Sequence, residues 1–151
     1  MLPFDLDIAL QHTKADPGYE DELLARYFSA AVATAEGYCN RSFYADIVEC
    51  SADFIAARGE FRTLAQQYDE WLEDADGNPE LHNLAVNRYI IQRSQLFKRM
   101  YGTVADASVM GAIYMLLGHY YRNREVVDMP DGVRRILEPY LWIGDLAGSW
   151  S

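Results

Sequence analysis

The chain has 151 residues, 50% apolar and 24% charged. That composition fits one globular domain, long enough to bury roughly 70% of the surface its unfolded form exposes. A formal net charge of −10 argues against a protein that wraps DNA or tracks phosphates, because nonspecific nucleic-acid affinity depends on clustered Lys and Arg.

The charge is uneven: residues 1–80 hold 5 basic and 17 acidic residues, whereas residues 81–151 hold 8 and 6. An acidic half can attract the other half of a neighbouring copy, or it can form a solvated face. The 11 tyrosines and 3 tryptophans suit both cores and interfaces. Met1-Leu2-Pro3-Phe4-Asp5 lacks the basic start and apolar run of a signal peptide. No stretch is apolar for the 18 or so residues of a membrane span. A cytoplasmic origin, with Cys39 and Cys50 as free thiols, is therefore expected.

Leu6 and Leu10 predict a short helix from Phe4 to Thr13. Asp16-Pro17-Gly18 then breaks the chain, with Asp16 as the expected N-cap and Pro17 as the first residue of the next helix. Glu20, Asp21 and Glu22 place negative charge in its first turn, where it suits the helix dipole. Leu24, Tyr27, Phe28, Ala31, Ala35 and Tyr38 recur at intervals of three and four and predict an amphipathic helix over 17–39. Ala30, Ala31, Ala33 and Ala35 permit close approach of a partner. Asn40-Arg41-Ser42 ends the helix.

Residues 43–58 fit two patterns. Phe43, Ala45 and Ile47 alternate like a strand; Ile47, Ser51, Phe54 and Ile55 recur like a helix. The reading adopted is an irregular or short extended piece followed by a helix. Phe61, Leu64, Ala65, Tyr68, Trp71 and Leu72 then form a helical stripe that stops at Asp74-Ala75-Asp76-Gly77-Asn78. Asn78 is placed to cap the next helix, with Pro79 at its first position. That helix carries Leu81, Leu84, Val86, Ile90, Ile91, Phe97 and Tyr101 as its apolar side and Arg88, Arg93, Lys98 and Arg99 as its exposed side. Gly102 ends it, so residues 59–102 are predicted to form a helical hairpin.

The next helix is predicted to begin near Val104. Val109, Ile113, Leu116 and Tyr120 make one stripe, and Met110, Leu117 and Tyr121 an adjacent one. So wide an apolar face implies a central helix covered on two sides. Asp128-Met129-Pro130 stops it. Asp131 is the expected cap of a last helix bearing Val133, Ile136, Leu137 and Tyr140, and Pro139 should terminate it. Leu141 to Ser151 reads as an extended tail with Trp142 and Trp150. The pattern as a whole predicts an all-α fold, a small bundle of five to six helices with an inserted central hairpin.

Catalytic and metal chemistry finds little footing. His12, His82 and His119 are far apart, with no His-x-x-x-His pair, and Cys39 and Cys50 lack metal-ligand spacing. Asp74 to Asn78 brushes against a calcium loop, but aligning Gly77 with its glycine puts Leu72 and Asn83 where acids are needed. Phosphate-loop and nucleophile-elbow patterns are absent. No cofactor and no enzyme activity are expected.

The stretch VMGAIYMLLGHYYRNREVVDMPDGVRRILEPY, from Val109 to Tyr140, resembles the tailed-bacteriophage head–tail connector (adaptor) family. The resemblance rests on Ala112, Leu116, Leu117 and His119-Tyr120-Tyr121, then Asn123-Arg124-Glu125, Pro130, Gly132-Val133, Leu137 and Pro139-Tyr140. The opening is similar too: a short helix, the Asp-Pro-Gly break, and an Ala-rich helix ending in Cys39-Asn40-Arg41. Together these cover about half of the chain. Common members join the two parts by a shorter segment, so residues 43–102 stand as an insertion in a connector domain spanning 1–141, followed by the tail 142–151.

The resemblance implies a homo-oligomeric ring, twelvefold to match the portal protein, found at the head–tail junction of the virion and in host cytoplasm before assembly. Such a ring docks on the portal after packaging, extends the DNA channel and offers a platform to a stopper or tail-completion protein. DNA would pass through without sequence-specific binding, and no membrane is involved. The expected subunit or portal contacts are the exposed Arg122, Arg124, Arg134 and Arg135, with Trp142 and Trp150 on a tail that is either a docking arm or a frayed terminus. The alternative is a helical nucleic-acid-binding regulatory or DNA-packaging protein, which needs its arginines gathered on one face.

Overall fold

The computed structural model describes residues 1–124 and 128–143. Within them the protein is all-α, with 74% helix and 3% strand. Six α-helices are present: α1 (Leu6–Thr13), α2 (Asp21–Cys39), α3 (Ile47–Asp74), α4 (Pro79–Met100), α5 (Ala107–Arg122) and α6 (Asp131–Leu137). Two-residue strands β1 (Phe43–Tyr44) and β2 (Thr103–Val104) pair in parallel, Phe43 opposite Thr103 and Tyr44 opposite Val104. The predicted tail lies outside the described residues from Gly144 onward.

Caps explain most boundaries. The Asp5 carboxylate accepts the Asp7 and Ile8 N–H groups at 3.0 and 3.2 Å and starts α1. Asn78 does the same for Glu80 and Leu81 at 3.1 and 3.2 Å, with Pro79 first in α4 as expected. The start of α2 is a correction. It begins at Asp21, not Pro17, and Asp16 is not its cap. Gly18 takes a left-handed φ of 84°, and the Asp21 carboxylate accepts its N–H at 3.0 Å, so a turn occupies the positions assigned to the first helical residues.

Two later starts shift for related reasons. Val104 is drawn into the β1–β2 ladder, and α5 begins at Ala107, where Asp106 accepts the Val109 N–H at 3.0 Å. Asp131 is the first residue of α6 and not its cap; Pro130 holds the cap position. Pro139 does end α6, and the chain runs on through one 3-10 turn, Glu138–Tyr140. Residues 47–58 are helical and continuous with the rest of α3, so the hairpin starts at Ile47 and not near residue 59. Gly59 sits exposed within α3 without interrupting it, the cost of one helical glycine being only about 1 kcal/mol.

The interior divides into two cores. The larger joins Ala9 of α1, Leu24, Phe28, Ala31, Ala35 and Cys39 of α2, six residues of α5 and Val133 and Leu137 of α6. As its width predicted, α5 is central: Val109, Ala112, Ile113, Leu116 and Leu117 are all fully buried. Gly118 lets α1 approach, since a Cβ there would meet the His12 carbonyl oxygen at 3.1 Å. The smaller core belongs to the hairpin: Ala57, Leu64 and Leu96, with Phe61, Trp71, Tyr89 and Met100 against them. Among the described residues, none of α3 or α4 joins the larger cluster.

Cys39 and Cys50 are both free thiols. Cys39 is buried beneath Leu137, and burial pushes its pKa up to about 11. No helix among the described residues is long and apolar enough to cross a membrane.

Candidate interaction surface

The hairpin is tied to the larger core at its root. The Arg99 guanidinium on α4 reaches the Asp53 carboxylate from Nη2 at 2.6 Å and from Nε at 3.1 Å, and it reaches Glu60 from Nη1 at 2.8 Å. The Tyr44 hydroxyl donates to the same Asp53, so β1 is coupled to both helices of the hairpin. Charge-assisted, forked bonds of this kind are among the stronger polar contacts. Gly102 is packed against Tyr44: a Cβ there would lie 2.3 Å from the ring. Trp142 closes the same corner, stacked on Tyr101 with centroids 4.2 Å apart and donating its backbone N–H to the Cys39 carbonyl at 2.9 Å. Trp142 is thus half-buried in its own chain; Trp150 lies outside the described residues.

The hydrogen bonds from Arg99 and Tyr44 hold the Asp53 carboxyl below its ordinary value of 3.8. Asp53 therefore binds its proton less tightly in the folded chain than in the unfolded one. The network stabilises the fold fully above about the ordinary carboxylate pKa. Its contribution is lost as pH falls from there through the depressed folded value. Asp53→Asn should accordingly lower the urea midpoint at pH 7, and the gap from the parent should shrink as pH drops below the ordinary value. A gap constant from pH 7 to pH 2 would contradict it.

The residues that carry the C-terminal resemblance act within the chain. Tyr120 shares a 2.7 Å hydrogen bond with Thr34 of α2. Tyr121 donates to Glu20, and Arg124 approaches the same carboxylate at 3.5 Å. Asn123 caps α5, its backbone and side-chain N–H groups both reaching the His119 carbonyl at 3.0 Å. Val133 is fully buried, Gly132 is exposed, and Pro130 and Pro139 frame α6. Tyr140 donates to Asp106, the α5 cap, and that bond together with the Val109 N–H holds the Asp106 carboxyl below its ordinary value. Glu125 lies outside the described residues. The motif thus fastens the end of α5 to α2, and the turn after α6 to the start of α5.

Arg122, Arg124, Arg134 and Arg135 are exposed near the end of α5 and on α6. The other predicted cations do not form an open basic face. Arg88 lies over the Trp71 ring at 4.3 Å and Arg93 over Phe97 at 4.6 Å, while Arg99 is in the carboxylate network.

That placement agrees only in part with the side of α4 read from its hydrophobicity. Phe97 is buried and Arg88 exposed, as expected, but the inward face is otherwise made by Ala85, Tyr89 and Leu96, and Arg93 is half-buried over the Phe97 ring. Leu81, Leu84, Ile90 and Ile91, assigned to the apolar side, face outward, as does Tyr101. The adjacent pair Ile90-Ile91 was the available signal, because neighbours on a helix stand about 100° apart and rarely share one contact. On α3, Ile47, Val48, Phe54 and Ile55 are likewise exposed. Among the described residues no group of three or more His, Cys, Asp or Glu is arranged to hold a metal. No protein-family model, curated protein or solved structure matches the chain.

Proposed function

We propose that the protein is a structural adaptor of the phage head–tail junction, a ring of identical copies that docks beneath the portal, extends the DNA channel and receives a stopper or tail-completion protein. The observation that carries this reading is that the two segments bearing the resemblance pack into one core, α1 and α2 against α5 and α6, while residues 47–100 leave it as a hairpin with its own interior. Supporting it, the acidic excess suits a channel wall along which DNA slides without sticking.

The test is to mix the chain with its cognate portal and examine the mixture by light scattering and electron microscopy. Ring-shaped particles, alone or on the portal, are expected. A monomer or dimer indifferent to portal overturns the reading. Salt-sensitive retention of a DNA fragment at physiological ionic strength would point to the nucleic-acid-binding alternative.

A further inference from the structure

Two exposed seams run along the hairpin. On α4, Leu81, Leu84, Arg88 and Ile91 follow at steps of three and four; on α3, Val48, Ser51, Ile55, Arg58 and Arg62 do the same. This is the spacing by which one helix meets another along a strip. All nine side chains are exposed, and the aliphatic ones heavily so: Leu84 63%, Ile91 59%, Val48 75% and Ile55 70%. Eight of the large exposed hydrophobic residues lie on these two helices: Ile47, Val48, Phe54, Ile55, Leu81, Leu84, Ile90 and Ile91. Exposed apolar runs of this kind are characteristic of interaction sites.

We propose that hairpins of neighbouring copies dock head to tail, the Leu81–Leu84–Ile91 seam of α4 in one copy seated on the Val48–Ile55 seam of α3 in the next. Charge selects this pairing. The hairpin tip exposes Asp69, Glu70, Glu73, Asp74 and Asp76, so a tip-to-tip approach sets carboxylates against each other. Arg58 and Arg62 continue the α3 seam beyond Ile55 and receive an acidic tip laid across it. Packing α4 on α4 would bring Arg88 against Arg88 and leave Val48 and Ile55 uncovered. Exposed Ala52 and Gly59 beside the α3 seam let a second helix come close.

The levels of the two seams dictate how copies overlap. The ring pairs Phe61–Phe97 at 5.5 Å and Tyr68–Tyr89 at 4.2 Å show which residues of the hairpin stand side by side. By that register the α3 seam lies at the root and the α4 seam towards the tip. Each hairpin therefore leans across the base of the next, like a shingle. Each copy offers one seam and receives the other, a heterologous contact that closes when the rotation per subunit fits; for that closure the proposal rests on the ring reading.

The test uses the full chain in a Cys50→Ser background, with Cys39 left buried. A chain carrying both Ile55→Cys and Ile91→Cys, treated with a short thiol cross-linker, should give a ladder of trimers and longer products. The two single variants mixed should give dimers, and each alone should give none above background. A double variant that stops at dimer, single variants that cross-link with themselves, or no product at all would each overturn the proposal. Leu84→Asp, an exposed change that should leave the circular dichroism melt unaltered, should weaken self-association roughly thirtyfold in scattering, as loss of a central apolar anchor does; unchanged self-association overturns it. Portal binding is read separately: a ladder without portal binding keeps this docking and sinks the adaptor reading, whereas portal binding by a chain without the ladder does the reverse.

Discussion

Leu116→Ala should lower stability by about 3 kcal/mol and the melting temperature by roughly 6–12 °C. Leu116 is fully buried in the middle of α5, within the cluster that joins α1, α2, α5 and α6. Truncation removes apolar contact and leaves a cavity lined by helices that cannot all move inward. The matched change in the smaller core, Leu64→Ala, should act differently. Leu64 touches the hairpin interior only, so its loss should speed amide hydrogen exchange in α3 and α4 and leave α5 protected. If both variants loosen all six helices equally, the two cores are one cooperative unit and the hairpin does not open on its own.

Gly102→Ala should cost about 2 kcal/mol and loosen the hairpin at its root. The added Cβ would stand 2.3 Å from the Tyr44 ring, 3.0 Å from the Ser42 carbonyl oxygen and 3.1 Å from the Arg99 carbonyl oxygen. Two of those atoms are backbone, so the ring is the part that must give way. When it swings aside, Asp53 loses the Tyr44 hydroxyl and the Arg99 network loses its link to β1. Tyr44→Ala combined with Gly102→Ala should then destabilise by less than the two single changes added together, because removing the ring clears the space for the new Cβ and both changes lose the same Tyr44–Asp53 bond. Strict additivity in a double-mutant cycle would show that the close approach imposes no constraint.

How much of this was legible beforehand varies along the chain for physical reasons. The central place of α5 could be read because five fully apolar positions fall on one wide arc and all five are buried. The Asn78-Pro79 start could be read because a side-chain cap and a proline act locally. Asp16-Pro17-Gly18 misled because the same residues serve a helix start or a turn, and the Asp21 carboxylate bonding back to Gly18 decided for the turn. Strand-like alternation showed at Phe43, but the pairing of β1 with β2 did not: each strand is two residues long and its partner is some sixty positions away.

The sidedness of α4 was legible only in part, for a different reason. Hydrophobicity ranks Ile90 and Ile91 above Arg93, yet both isoleucines are exposed while Arg93 is half-buried with its guanidinium over the Phe97 ring. For the candidate site, Arg122, Arg124, Arg134 and Arg135 are exposed as expected. The use of Tyr120, Tyr121 and Tyr140 as fasteners depended on distant partners, Thr34, Glu20 and Asp106, that no local pattern reveals.

The parallel ladder has a consequence for how such a chain is assembled from parts. Its strands run the same way, side by side, with the Thr103 N–H on the Ser42 carbonyl at 3.0 Å and the Ala105 N–H on the Tyr44 carbonyl at 2.9 Å. Chain leaving α2 and chain arriving at α5 thus occupy neighbouring tracks with one heading. A single strand could replace both and pass directly from Ser42 to Ala105 without crossing another segment or reversing direction. The ladder thus has the geometry of a splice junction: a chain shortened from Ser42 to Ala105 would keep the connectivity of the four-helix body.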